Sequence, residues 1–517
     1  MPGPTFGSSK IRSPKKTPSA ARKPNGSPAE LWSVALVGGG LSFVLSIVYQ
    51  VVIARRLGTA GFGVFVLALA ISNLLAEGSD LGLDYGVLRF GGIAHGAGDP
   101  GRFRSALKPA LRGSLIAGVV AGAALAFGST LVAHLFDTPG LRPVLIPLAA
   151  SIPFTATTEI ARSALRAMGN ATRPVASASV ITPVLRLATG AWAVLLVPSA
   201  QAAAEAYLVT EVSVLVVTAL MLWRFLPPAG DRAPRATGLY RFSLSMSLNR
   251  LMLYSNNQTE IVILGFLAPT TTIGIFGAAR RLSALISALL ASMAILLHPI
   301  IADLHHTGRN AELDKIFKAS TRWLFTIGLP VCLMEVILAP SILRLFGKDF
   351  EHGAVALAIL ALGQLVNVGT GTFAGLQAMA GYARLTLLNS LLFLVLSVVL
   401  DLLLIPSLGL LGAALACSGS IVVVNVLRVW QIRRDLGISP YDRSFLRPIV
   451  AAVPAGLLAW LLPLPDLPNV VDLGIRIIAL EIVYLGTQLA LGIEETDREL
   501  GRATIGRLRN RRGSRAP

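Results

Sequence analysis

Long apolar runs follow one another along the chain from Leu31 to Leu491, separated by short polar connections. Most are about 18 to 25 residues long, which as an α-helix is enough to cross roughly 30 Å of hydrocarbon. Backbone groups in lipid must bond to one another, so the pattern predicts about fourteen membrane-spanning helices. The predicted spans are 31–53, 62–87, 110–136, 143–165, 174–197, 202–223, 242–267, 270–300, 320–344, 353–379, 385–408, 410–430, 448–464 and 471–493.

The composition agrees with an all-α polytopic membrane protein. Hydrophobic residues make up 54% of the 517 residues and charged residues 14%, and the mean hydropathy is +0.69. A water-soluble fold cannot bury this much apolar side chain, whereas a bilayer solvates it directly. The two cysteines, Cys332 and Cys417, fall inside predicted spans, where they predict neither a disulfide nor a metal site.

The net charge of +18 is distributed unevenly between the two ends of the spans. With the N-terminus placed inside, most of the 45 Lys and Arg side chains fall in inner segments and in the tails. This pattern predicts a multi-pass protein of the cell membrane with both termini in the cytoplasm. We call the end of the spans that is predicted to be cytoplasmic the inner end, and the opposite end the outer end. No basic stripe interleaved with aromatic residues follows a polar surface, so nucleic-acid binding is not expected.

Two matching segments indicate an internal duplication. LRAMGNATR at 165–173 resembles LQAMAGYAR at 376–384, and both lie at inner hairpins. Two repeats of six spans, related by an axis along the membrane normal, would leave a cleft between two bundles. The predicted units are a basic tail at 1–30, a six-helix bundle at 31–226, a second at 242–436, two further helices at 446–493, and a basic tail at 494–517. We expect the tails to be disordered and to lie close to membrane lipids.

Charged and amide side chains within the spans are the candidate functional residues. An ionised side chain at mid-bilayer costs at least about 2.5–3.5 kcal/mol, so each needs a partner or water. Those that could line a cavity and hold an anionic substrate are Arg162, Arg166, Arg250, Asn257, Arg280 and Arg281. Those that could couple transport to H⁺ or Na⁺, or form a gate, are Glu77, Asp80, Glu159, Arg186, Glu211 and Glu260.

Two interpretations of these residues stay open at this point. They are either buried ion pairs that fix helix positions, such as Arg186 with Glu211 or Glu260 with Arg280 or Arg281, or the wall of a hydrated cavity. Arg250 favours the cavity because the sequence places no acid at its depth on a neighbouring span. The motifs of ATPases, zinc hydrolases and serine hydrolases do not occur, so we expect neither a resident cofactor nor enzymatic activity.

Four segments resemble polysaccharide or O-antigen flippases of the Wzx type, within the multidrug/oligosaccharidyl-lipid/polysaccharide (MOP) exporter superfamily. They are VVIARRLGTAGFGVFVLALAI at 51–71, DLGLDYGVLRF at 80–90, TEIVILGFLAPTTTIGIFGAARRL at 259–282 and LHPIIADL at 297–304. Glu260 stands where many members of the family carry Asp. The resemblance covers roughly residues 31–495.

The resemblance implies two six-helix bundles. It also implies that a lipid-linked oligosaccharide of the polyprenyl-diphosphate type is carried across the membrane by alternating access. It also implies cationic cavity residues and contact with polysaccharide-assembly proteins. The alternatives are a lipid II flippase or a cation-coupled multidrug exporter of the same superfamily, and a membrane glycosyltransferase or polymerase. An exporter of organic cations should have acidic or aromatic cavity walls, and an enzyme acting at the outer face needs a substantial outer loop. The mixed charges and short outer loops of this chain argue against both.

Overall fold

A computed structural model of the chain describes residues 28–169, 172–226, 238–371, 375–377, 382–462 and 468–492. Helices joined by short turns make up these residues, and no β-strand occurs among them. The predicted tails lie outside the described residues, apart from Pro28–Glu30 at the start of the first helix.

Helices α1–α8 form the N-terminal half, α9–α15 form the C-terminal half, and α16 and α17 follow. The N-terminal half contains α1 (Pro28–Ser79), α2 (Leu83–Gly86), α3 (Gly92–Gly96), α4 (Pro100–Leu135), α5 (Leu141–Ala167), α6 (Thr172–Ala176), α7 (Thr182–Leu196) and α8 (Ala200–Phe225), with π-helical turns at Val87–Gly91 and Ser177–Ile181. The remaining helices are α9 (Leu239–Leu267), α10 (Thr270–His306), α11 (Asn310–Ile337), α12 (Ala339–Arg344), α13 (Ala354–Gly369), α14 (Ala383–Leu408), α15 (Leu410–Leu436), α16 (Leu446–Leu461) and α17 (Asn469–Ala490), with 3₁₀ turns at Lys348–Gly353 and Arg443–Phe445.

Among the described residues, ten helical stretches are long and apolar enough to cross a membrane. The first of them, Gly38–Gly96, contains most of the first predicted span and all of the second. The two spans are separated inside α1 at Gly58, where a φ of 68° interrupts the helical backbone. Glycine adopts this left-handed conformation without the steric cost that a Cβ would bring. The all-α polytopic fold is therefore confirmed, while the total of fourteen spans and the boundaries of the predicted units stay predictions.

Buried apolar side chains of both halves share one core at the outer end, whereas the inner end has two distinct cores. At the outer end, Phe62 and Phe65 of α1 share one core with Phe276 of α10 and with Phe350. At the inner end, a first core contains Phe103, Ile160, Leu165 and Leu222 of the N-terminal half. A second, separate core contains Leu304, Leu313, Phe317 and Ile432 of the C-terminal half. The inner end therefore has two separate cores, and Leu239 at the start of α9 belongs to the first of them.

The outer contact region, which we define as Thr59, Gly63, Thr270 and Gly274, is where α1 and α10 cross. The backbones approach so closely that a Cβ on Gly63 would lie 1.8 Å from the carbonyl oxygen of Thr270. A Cβ on Gly274 would lie 2.1 Å from the carbonyl oxygen of Thr59. Small residues allow this kind of close helix crossing in membranes. The two glycines thus permit a very close contact between the halves.

The inner contact region, which we define as Gly82, Gly86, Arg89, Phe242 and Ser243, joins the halves at the opposite end. The guanidinium carbon of Arg89 lies 4.5 Å from the ring centre of Phe242, near the start of α9. A Cβ on Gly82 would lie 2.2 Å from the carbonyl oxygen of Ser243. The start of α9 therefore packs against the N-terminal half, although the rest of the inner end of the C-terminal half has its own core.

Helices α16 and α17 pack on the outside of the C-terminal half. Ala451 and Ala455 of α16 and Tyr484 of α17 form a core with Phe325 and Leu329 of α11. The Tyr484 hydroxyl donates a hydrogen bond of 2.8 Å to the carbonyl oxygen of Thr326. Neither helix contributes to the central cavity described next.

Candidate substrate cavity

A cavity of about 650 Å³ lies between the two halves. It is lined by α1, α7 and α8 of the N-terminal half and by α9, α10 and α13 of the C-terminal half. We call it the central cavity. Its polar lining residues are Ser42, Ser46, Tyr49, Gln50, Asn73, Thr182, Arg186, Tyr207, Gln258, Arg280, Arg281, Ser287 and Gln364.

The charged residues in this lining are three arginines. Arg186 comes from α7, and Arg280 and Arg281 come from α10. No Asp or Glu is among the described residues of the wall. The carboxylates that pair with two of these arginines lie behind them, so the surface that faces the cavity is cationic.

Arg186 is held by a carboxylate and an aromatic ring. Its Nη2 donates a 2.6 Å hydrogen bond to Oε1 of Glu211, whose side chain is almost fully buried. Nη2 also lies 3.2 Å from the Tyr207 hydroxyl oxygen, and the guanidinium carbon lies 4.7 Å from the centre of that ring. Thr155 donates a further hydrogen bond of 3.3 Å to the second Glu211 oxygen. The pair therefore fixes the guanidinium at the cavity wall and offsets most of its charge.

Arg280 pairs with Glu260, which is 0% exposed. Arg280 Nη1 also donates a hydrogen bond of 3.3 Å to Sγ of Cys417. The sequence leaves both Arg280 and Arg281 open as partners of Glu260, and in the structure Glu260 pairs with Arg280. A second carboxyl, on Asp401 of α14, is buried in the C-terminal half, and neither of its oxygens has a hydrogen-bond partner in the described part of the chain.

Arg281 differs from the other two arginines of the wall. Within the described ranges, no carboxylate lies within 4.0 Å of its guanidinium, and its buried Nε makes no hydrogen bond. Its guanidinium carbon lies 5.9 Å from the ring centre of Phe43, a weak cation–π contact. An incompletely compensated guanidinium beside a polar cavity could pair with an anion, because the anion would supply the missing partner.

Breaking the Glu260–Arg280 pair should destabilise the protein. In Arg280→Met, the fully buried Glu260 would lose its partner, which typically costs about 3–5 kcal/mol. We expect a clearly lower midpoint of thermal unfolding in detergent, and recovery of most of the loss in Arg280→Met/Glu260→Gln. Arg142→Met, at an exposed position of α5, is the control. An unchanged midpoint in the single variant would show that the pair is not structural.

The structure places several of the predicted residues away from the central cavity. Arg162 donates hydrogen bonds of 2.5 Å to Glu159 and 2.9 Å to the Thr182 hydroxyl. It therefore contacts Thr182 of the cavity wall but does not itself line the cavity. Arg166 is exposed and donates to the Ser163 hydroxyl. Near the end of α1, Glu77 is partly buried and Asp80 is buried, both outside the cavity lining. The side chains of Arg250 and Asn257 lie outside the described residues.

Sequence reasoning missed most of the neutral polar groups of the wall. Tyr49, Gln50, Gln258 and Gln364 supply hydroxyl and amide groups from three different helices, α1, α9 and α13. The amide of Gln364 accepts a 3.2 Å hydrogen bond from Asn367, which is itself bonded to Asn425. A single neutral polar residue in a span is common, so the sequence carries little signal for them. Asp401 had a clearer signal as a lone acid within a predicted span.

The fold and the site define a multi-pass helical membrane protein with a cationic cavity between two halves. The chain belongs to the polysaccharide biosynthesis protein family, whose model matches residues 52–354. A curated relative, "Probable flippase AglR" of Haloferax volcanii, is 28% identical over 201 residues. That alignment covers 38% of this chain and 41% of the relative, so the match spans less than half of the relative's length.

Solved structures of MOP transporters share the fold. The lipid II flippase MurJ in an inward closed conformation gives a TM-score of 0.70 at 15% identity, covering 89% of this chain and 98% of MurJ. An inward-facing multidrug resistance transporter of the MATE family gives 0.67 at 15% identity, covering 78% of this chain and 98% of that one. The predicted link to polysaccharide biosynthesis is confirmed at the level of the family, and the likeness to MOP transporters is confirmed at the level of the fold.

Proposed function

We propose that this chain is a flippase that moves a lipid-linked oligosaccharide of the polyprenyl-diphosphate type across the cell membrane for polysaccharide biosynthesis. The observation that carries the proposal is the central cavity, where three arginines from both halves meet and Arg281 has no carboxylate partner among the described residues. Family membership supports the connection to polysaccharide biosynthesis. The name of the Haloferax relative, a probable flippase, supports a flippase role.

The cavity chemistry suits the headgroup of such a substrate. Moving a diphosphate through hydrocarbon without help would cost tens of kcal/mol, because an isolated ion loses its hydration. The arginines of the cavity replace part of that hydration, and the hydroxyl and amide groups of the wall can hydrogen-bond to sugars. A volume of about 650 Å³ falls within the roughly 300–1,000 Å³ of small-molecule sites. The isoprenoid chain can stay in the lipid throughout.

Opening of the outer and the inner contact regions in turn would move the headgroup across the membrane. In one state the outer contact region is closed, and in the other it opens while the inner contact region tightens. The predicted orientation makes this an export from the cytoplasmic to the outer leaflet. The driving force is proposed to be an H⁺ or Na⁺ gradient acting on buried carboxylates such as Glu260 and Glu211. Polysaccharide-assembly proteins are the proposed partners, and the chain itself is proposed not to be an enzyme.

A leaflet assay in proteoliposomes tests the function. Fluorescent lipid-linked oligosaccharide placed in one leaflet should become accessible in the other at a rate well above that of protein-free vesicles. Lipid II and a lipophilic organic cation are the comparison substrates. Faster movement of lipid II would assign the chain to that substrate, and movement of the organic cation alone would contradict an anion-binding cavity. No movement of any of the three would overturn the proposal.

A further inference from the structure

A second groove lies on the outside of the N-terminal half, at the inner end of α8. It has a volume of about 440 Å³ and is lined by Arg173, Val217, Leu220, Met221, Arg224 and Phe225. It shares no lining residue with the central cavity. We call it the α8 groove.

Two cationic side chains line the α8 groove. The guanidinium carbon of Arg173 lies 3.2 Å from the ring centre of Phe225, a cation–π contact that holds it at the groove. Arg224 is exposed in the last turn of α8. Considering the described ranges only, neither arginine has a carboxylate within 4.0 Å. The groove therefore presents two positive charges that the described protein does not neutralise.

The rest of the groove is apolar and continues the membrane-facing surface of α8. Leu220 is 58% exposed, and the neighbouring Trp223 is 77% exposed. Tryptophan and arginine at the end of an apolar span are typical of the interface between hydrocarbon and headgroups. The arrangement thus combines a cationic end at headgroup depth with an apolar wall directed along the span.

We propose that the α8 groove binds an anionic phospholipid of the leaflet at the inner end. The phosphate lies between Arg173 and Arg224, and an acyl chain follows Val217, Leu220 and Met221. Basic pockets on the cytoplasmic side of membrane helices bind anionic headgroups by this combination of charge and apolar contact. Arg173 belongs to α6, which leads through a π-helical turn into α7 with Thr182 and Arg186 of the central cavity wall. This inference does not depend on the substrate of the central cavity.

Thermal unfolding of the full chain in detergent tests the site. Phosphatidylglycerol should raise the unfolding midpoint more than phosphatidylcholine with the same acyl chains, since a ligand that binds the folded state stabilises it. In Arg173→Gln/Arg224→Gln, the apparent affinity for phosphatidylglycerol should fall at least about tenfold, which corresponds to loss of roughly 1.4 kcal/mol. Arg173→Lys/Arg224→Lys keeps both charges and should retain most of the stabilisation.

The matched control is Arg102→Gln/Arg434→Gln. Both arginines are exposed at the inner end, and each already has a neighbouring carboxylate, Asp99 or Asp435. This variant loses the same two charges and should respond to phosphatidylglycerol as the unchanged protein does. Equal losses in the control and in Arg173→Gln/Arg224→Gln would overturn the site in favour of general charge attraction. Equal stabilisation by inorganic phosphate, or no preference of the unchanged protein for phosphatidylglycerol, would also overturn it. If the double glutamine variant does not fold, Arg224→Gln alone takes its place, because Arg224 is exposed.

Discussion

Arg281→Ala is expected to reduce transport of lipid-linked oligosaccharide by roughly 10- to 100-fold, because a hydrogen bond to a charged group contributes about 1.5–3 kcal/mol. The effect is expected on transport and not on folding. Arg281 has no carboxylate partner in the described part of the chain, so its removal leaves no buried acid uncompensated. The initial rate in the leaflet assay measures the effect, and the unfolding midpoint should stay within a few degrees of the original.

The control for this prediction is Arg56→Ala, an exposed arginine of α1 outside the central cavity. It should transport at the original rate. Arg281→Lys keeps a charge but loses the planar fork of donors, so we expect intermediate transport. Full activity of Arg281→Ala would remove Arg281 from the substrate site. A parallel loss in Arg56→Ala would indicate that total positive charge, rather than a position in the cavity, determines the rate.

Gly63→Leu is expected to prevent closure at the outer end. The first carbon of the new side chain would lie 1.8 Å from the carbonyl oxygen of Thr270, which no side-chain rotation can relieve because that carbon is fixed to the backbone. Since alternating access requires each end to close in turn, transport should fall to the background rate. In a Cys332→Ser/Cys417→Ser background, Thr59→Cys should react faster with a membrane-impermeant maleimide when Gly63→Leu is also present.

Gly39→Leu is the control for the outer contact region. It lies on the same helix, and a Cβ at that position would meet nothing within 4 Å. Transport and labelling should both be unchanged in this variant. If Gly63→Leu transports normally and leaves the labelling of Thr59→Cys unchanged, the crossing of α1 and α10 is not a contact that the transport cycle needs to close.

The charged residues within the spans show how much of the candidate site could be predicted from the sequence. The pairs Arg186–Glu211 and Glu260–Arg280 were among the sequence alternatives because each joins opposite charges on neighbouring spans. The structure contains both pairs and also places Arg186 and Arg280 at the cavity wall. The two interpretations that seemed exclusive in the sequence, structural pair and cavity wall, therefore hold together for the same residues. Arg162, predicted for the cavity, instead pairs with Glu159 behind Thr182.

The sequence by itself determined that this protein is a bundle of membrane helices, because the length and composition of apolar runs directly reflect the thickness and polarity of a bilayer. Only the tertiary structure decided which polar residues share one cavity. A membrane helix is apolar on nearly every side, so the sequence pattern does not specify its rotation about its own axis, and packing against neighbours does. The central cavity combines Tyr49, Arg186, Arg281 and Gln364 from distant parts of the chain, and their meeting depends on that packing.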